Sequence, residues 1–224
     1  MLFGKRPSDD DTVVAMLAAA LRRDIAFGHL HPDQKLKIEA LRQRYGGSNH
    51  SMRETLRVLA AEGLVEATSQ RGFRVMSATE QDLDDILFLR LEIERLGLSR
   101  SMAEATVAWE GAVMAAFHAQ RHADKVVQGS LDDADALEWD EVCRVTSLTL
   151  VQGSRSPRLM DLAGKLFNQS RRFRLAQLRE GQIDFAARDA RHKALCDAIL
   201  AKDTALALEL HEETVRSDLG RIRR

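Results

Sequence analysis

Proline is almost missing from this chain, with 3 in 224 residues, and glycine stands at only 13. These are the two residues that interrupt helices. Their scarcity, beside abundant Ala, Leu, Arg and Glu, predicts a mainly α protein. Aromatic residues make up 5%. The two cysteines, Cys143 and Cys196, are far apart and form no disulfide framework. A reducing cytoplasm is the simplest setting, and the expected localisation is cytoplasmic. No apolar run approaches the roughly 20 residues that cross a bilayer, so no membrane partner is expected. The opening "MLFGKRPSDDD" lacks the apolar core of a secretion signal. Excess charge of one sign is missing too. A net charge of −1 excludes indiscriminate coating of nucleic acid and leaves room for a local basic surface.

What is present is ordinary soluble composition, 45% hydrophobic and 30% charged, with room for one large domain or two small ones. Residues 1–11 are polar and acidic and read as a disordered N-terminus. From Thr12, a plausible N-cap, "TVVAMLAAALRRDIAFG" has apolar residues at helical spacing and stops at Gly28. A turn at Pro32-Asp33 leads to a short extended piece. "IEALRQRYGG" is a second, short helix. Ser48 caps a third, from about Asn49 to Glu62, closed by Gly63. "LVEAT" and "FRVM" then flank the loop "SQRG" as a β-hairpin. From about Glu80 onward the period is helical throughout. Six helices are expected, over 80–106, 108–128, 132–152, 156–180, 184–201 and 203–221. The expected architecture is an N-terminal domain over 12–76 and an antiparallel all-α helical bundle over 77–224.

The third helix carries the functional signal. Its first turn holds Ser48, Asn49, His50, Ser51 and Arg53, nearly all of them hydrogen-bonding, while Met52, Leu56, Leu59 and Ala60 are spaced to face a core. Two helices around a Gly-containing turn make a helix-turn-helix, and the trailing hairpin makes it winged. A recognition helix enters the major groove by its N-terminal turn, so that turn must carry donors and acceptors. The residues expected to contact DNA are Ser48, Asn49, His50, Ser51, Arg53 and Arg57 on the helix, with Gln70, Arg71, Gly72 and Arg74 in the wing. Residues 1–78 carry 12 Lys and Arg against 9 Asp and Glu, a weakly positive head on an acidic body. Polar residues in the first turn of an exposed helix are common, so the bland alternative is a solvated helix end.

Residues 12–76 resemble the DNA-binding domain of the GntR family of bacterial transcription regulators. Leu21, Ile25, Gly28, Leu30, Pro32 and Leu36 match its first motif. "SNHSMRETL" stands where the family has Ser-Arg-Thr-Pro-Val-Arg-Glu-Ala-Leu, keeping Arg53-Glu54 but placing Asn49 for Arg and Ser51 for Pro. Asn pairs best with adenine where Arg pairs best with guanine, so the operator is expected to differ. Residues 80–219 resemble the FCD domain of the FadR subgroup, carried by "LDDILFLRLEIERLGLSRS", "EWDEVCRVTSLTLVQGSRSPRL" and "RHKALCDAILAKDTALALEL". The resemblance implies a homodimer that binds double-stranded operator DNA and responds to a small carboxylate or acyl effector as a repressor.

Many FCD domains hold a divalent metal on one Asp or Asn and three His. The corresponding positions here are Cys143, Ser147, His192 and Thr214, and only one strong ligand is left. No metal and no other cofactor is therefore expected. His211 lies three residues before Thr214, but the family places an apolar core residue there. The expected effector contacts are Arg90, Cys143, Ser147, His192 and Thr214. Arg90 is the candidate carboxylate anchor, or else simply the partner of Glu94 one turn on. His192 is a ligand contact or a hydrogen-bonded core residue. Arg171, Arg172 and Arg174 are a solvated charge run unless one points inward. Metal-dependent sensing is one alternative, and an enzyme using Cys143 and His192 is another. Nothing supplies an oxyanion hole or a Gly-rich loop, so an enzyme is not expected.

Overall fold

The computed structural model describes residues 9–68, 72–130 and 132–221. Two compact units divide the chain, Met1–Thr79 and Glu80–Arg224.

The first unit contains helices α1 (Asp9–Ala26), α2 (Ile38–Tyr45) and α3 (Asn49–Ala61) and strands β1 (Lys35–Leu36), β2 (Val65–Thr68) and β3 (Gly72–Val75). Helix α1 starts at Asp9, not at the expected cap Thr12, so residues 9–11 belong to a helix. Leu17, Leu21 and Ile25 of α1 meet Leu41 of α2, Met52, Leu56 and Leu59 of α3, and Leu64, Val65 and Val75. Ala60 is only half-buried at the edge of that core. Arg22 clamps the end of α3 with two bonds to Glu62, at 2.9 and 2.8 Å.

The turn between α2 and α3 depends on Gly47. Its φ is +82°, and a Cβ there would sit 3.0 Å from both Leu17 Cδ1 and Ser51 Oγ. Any side chain is therefore strained and crowded at once. The sheet order is β1-β3-β2, all antiparallel. Sequence reasoning saw β1 only as an extended piece. Its pairing with β3 is carried by Lys35 opposite Arg74 and Leu36 opposite Phe73. Gly72 lies opposite Thr68 in the ladder, so it belongs to the strand and the loop is shorter than expected.

The second unit is all helical, with α4 (Glu80–Ala103), α5 (Val107–Gly129), α6 (Asp133–Gln152), α7 (Pro157–Arg179), α8 (Phe185–Leu200) and α9 (Thr204–Asp218). From α5 onward each begins on a side-chain cap: Thr106, Asp132, Ser156, Asp184 and Asp203 each accept a backbone N–H of the first turn. Pro157 occupies the opening of α7, where its missing N–H costs nothing. One core joins Leu98, Val113, Phe117, Leu150, Leu195 and Ile199, and a second joins Leu83, Leu87, Leu91, Val215 and Leu219. No helix among the described residues is long and apolar enough to cross a membrane.

At Gly97, helix α4 packs tightly against α6 and the start of α7. A Cβ there would lie 1.9 Å from Val151 Cγ1 and 2.9 Å from Leu159 Cδ2. Gly97→Ala is expected to destabilise the protein by about 1–3 kcal/mol through overpacking. Urea denaturation checks this, and a second change, Val151→Ala, should restore part of the loss. An unchanged midpoint in Gly97→Ala would contradict the α4–α6 packing.

Candidate functional site

The outer face of α3 is built by settling its inner face first. Ser48 and Ser51 form a reciprocal cap. Ser51 N donates to Ser48 Oγ at 3.0 Å, and Ser48 N donates to Ser51 Oγ at 2.9 Å. Thr55 turns its hydroxyl back to Ser51 O at 2.8 Å. Ser51, Met52, Thr55, Leu56 and Leu59 are buried. Asn49, His50, Arg53 and Arg57 remain exposed on the opposite face, three to four residues apart. Arg42 of α2 braces this face, with Nε to Gly47 O at 3.2 Å and Nη1 to Asn49 Oδ1 at 3.3 Å. Arg57 pairs with Glu54.

Ser51 was expected at the DNA, and the structure corrects this. It is 2% exposed and serves the cap. Ser48 is exposed but its hydroxyl is engaged in the same cap. In the wing, Arg74 Nε donates to Glu66 Oε1 at 2.6 Å, and Gly72 pairs with Thr68. Gln70 and Arg71 lie outside the described residues.

Asp24 of α1 is the buried charge that ties α2 in place. Tyr45 OH donates to its Oδ2 at 2.5 Å and Arg44 Nη2 at 2.6 Å. Burial pushes the Asp24 carboxyl up, but the hydrogen bonds from Tyr45 and Arg23 and the Arg44 charge outweigh it and hold it below its usual range.

In the second unit, all five expected effector residues line one cavity of about 40 Å³: Arg90, Cys143, Ser147, His192 and Thr214. They come from α4, α6, α8 and α9. The same wall contains residues that sequence reasoning missed, Gln120, Arg188 and Asp218. Arg188 donates to Asp218, and its Nη2 lies 3.3 Å from Cys143 Sγ. Gln120 Nε2 donates to the same sulfur at 3.3 Å and to Asp124 Oδ1 at 3.1 Å. Thr214 Oγ1 donates to Leu210 O at 2.8 Å. Ser147 Oγ, though buried, has no hydrogen-bond partner among the described residues.

Arg90 realises the pairing with Glu94, at 2.6 Å, and also donates to Ser170 Oγ at 3.1 Å beneath the Phe167 ring. His211 is in the core, as expected of that position, but as a polar partner: its Nε2 is 2.8 Å from Glu94 Oε2. It also faces the cavity. Burial pushes Glu94 up, yet the Arg90 charge and the His211 bond bring it down to about 2. The charge run on α7 is not a solvated face. Arg171 and Arg174 are both buried on Asp140, with Arg174 Nε at 2.8 Å.

Two domain models match the chain in succession. That of the bacterial regulatory proteins of the gntR family covers residues 14–75, and that of the FCD domain covers 85–217. The chain belongs to the GntR family. It is 33% identical over 198 residues to the HTH-type transcriptional repressor GlaR of Escherichia coli (strain K12), covering 85% of this chain and 86% of that protein. It is 28% identical to the HTH-type transcriptional regulator BphR of Paraburkholderia xenovorans (strain LB400), covering 91% and 82%. Among solved structures, E. coli McbR/YncC shares the fold with a TM-score of 0.71 at 18% identity, covering 93% of this chain and 95% of that one.

A GntR regulator with an FCD domain is a DNA-binding transcription regulator, not an enzyme. The cavity chemistry agrees. Burial raises the Cys143 thiol to about 12, against the opposing charges of Arg188 and Arg174. An activated nucleophile needs the opposite shift.

His192 is 6% exposed, with its ring 5.3 Å from that of Phe117. Burial, and then the Arg188 charge, lower its pKa from 6.5 to about 3. The folded state therefore holds the neutral ring, while the unfolded chain takes up a proton below 6.5. Stability is expected to fall as pH drops from 6.5 toward 3, by up to about 1.4 kcal/mol per unit from this group. Urea titrations at a series of pH values check it, and His192→Leu should lose this component. A second outcome concerns the cap: Ser51→Ala should cost about 0.5–2 kcal/mol of stability while leaving base preference on DNA unchanged.

Proposed function

We infer that the chain binds operator DNA as a homodimer through α3 and its wing, as a repressor, and that a small effector in the cavity of the second unit controls this binding. The observation that carries the DNA side is the face of Asn49, His50, Arg53 and Arg57. These four stay exposed on a helix whose first turn is already capped from within. Their donors and acceptors are available to base edges and phosphates. Arg57 exchanges Glu54 for phosphate on binding.

The homodimer is supported by the outer side of α4, where Phe88, Leu89 and Leu96 are 62%, 43% and 53% exposed. Large apolar side chains grouped on one helix favour a covered surface. Dimer symmetry places two α3 helices on half-sites one helical turn apart. The effector shifts the population between a dimer that fits this spacing and one that does not.

The cavity supports a small carboxylate over a long acyl chain. About 40 Å³ holds only a few water-sized groups, and two guanidiniums line it. Binding to DNA from the protein's own upstream region, followed by fluorescence anisotropy, tests the function. Affinity should fall steeply with salt. Arg53→Ala should weaken it by about 1–3 kcal/mol. Binding that is absent, or insensitive to both salt and Arg53, overturns the reading.

A further inference from the structure

The cavity of the second unit contains its own cation. Arg188, 2% exposed, reaches it from α8. A guanidinium carries five N–H donors. Here Nη1 serves Asp218, and Nη2 faces the sulfur of Cys143, a weak acceptor. Nε lies 3.4 Å from Asp124 Oδ2 without forming a hydrogen bond. Two more buried atoms on the same wall, Ser147 Oγ and Gln120 Oε1, have no hydrogen-bond partner among the described residues. Unsatisfied buried polar atoms are rare in folded proteins, and a cluster of them around one cavity marks a place for a polar ligand.

Many FCD domains hold a divalent metal at the positions of Cys143, Ser147, His192 and Thr214, and the donor chemistry of these four does not fit one. Cys143 is a buried thiol that already accepts from a guanidinium and from an amide. The Thr214 hydroxyl is spent on Leu210 O. His192 alone is a strong donor, where a metal of this kind needs three or four. Among the described residues no group of three His, Cys, Asp or Glu is placed to hold a metal ion. A cation entering here would also meet Arg188.

We propose that Arg188 stands in for the metal: its guanidinium, with the Ser147 hydroxyl beside it, binds the carboxylate of the effector directly. This rests on the effector reading above. Arg90, the other guanidinium on the wall, is the weaker candidate because Glu94 and Ser170 already hold it. Asp124 lies near Arg188 Nε, and burial raises its carboxyl against the pull of that charge.

The test is a thermal-shift series on the full chain after EDTA treatment. Acetate, lactate and succinate are the probes, each with and without added zinc or manganese, and the metals are also tried alone. A carboxylate should raise the melting temperature without metal, and metal alone should not. Arg188→Gln should weaken that carboxylate at least tenfold, and Arg188→Lys should keep part of its effect. The double variant Arg188→Gln/Asp218→Asn removes both charges of the pair, so it carries the same test if the single variant does not fold. A carboxylate effect that needs metal, or one that persists unchanged without Arg188, overturns the proposal and leaves the effector reading standing. If no carboxylate acts with or without metal while operator binding is intact, the carboxylate reading of the cavity falls as well.

Discussion

Buried charge is the constraint on which the helical unit depends. Arg90, Arg174 and Arg188 are each at least 96% buried, and each must be neutralised inside the bundle. Arg174 and Arg188 take their partners from other helices, and Arg90 takes Glu94 from its own. Arg174 of α7 holds Asp140 of α6, and Arg188 of α8 holds Asp218 of α9 and lies near Asp124 of α5. Glu94 of α4, paired with Arg90, also meets His211 of α9. A slide of one turn here would strand a charge in a low-dielectric interior, which costs several kcal/mol. The ion pairs therefore fix register where the leucines fix proximity.

The DNA-binding unit solves the opposite problem. It must leave polar groups unsatisfied on one face of α3 while keeping the helix in place. Its own demands are met behind that face. Ser48 and Ser51 satisfy each other, Thr55 returns to the backbone, and Arg22 clamps Glu62. Asn49, His50 and Arg53 are then left exposed for an external partner. Arg42 narrows that freedom. By donating to Asn49 Oδ1 it leaves the Asn49 amide N–H groups facing outward, so the free protein presents a donor at this position.

Much of this was legible because it is local. The helix ranges expected in the bundle fall within a few residues of the observed ones, because each break between them is a local feature of the sequence. Arg90 and Glu94 are one turn apart, and their pairing was foreseeable. What escaped depends on distant partners. Arg188 meets Asp218 across 30 residues and Cys143 across 45, with nothing in its immediate surroundings to show it. Strand β1 has two residues, too few for an alternating pattern, and exists through its pairing with β3. Ser51 was misplaced because a hydroxyl in a first turn suits a cap and a groove equally. Only the geometry of Ser48 decided between them.

On the proposal for Arg188, the same pairing that fixes register also decides what a ligand can do. Arg188 is shared among α5, α6 and α9 through Asp124, Cys143 and Asp218. A ligand that merely adds a contact with equal strength in every arrangement binds and shifts nothing. A ligand that replaces an existing partner changes which helices Arg188 holds together. Cys143 is the partner most easily replaced, since a thiol is a poor acceptor and a carboxylate a strong one. Asp218 is the hardest, being a charged partner already bonded in a buried site. A carboxylate at Arg188 therefore loosens α6 from α8 before it disturbs α9. Its first structural effect falls on α6, the helix that carries both Cys143 and Ser147 and packs against Gly97 of α4.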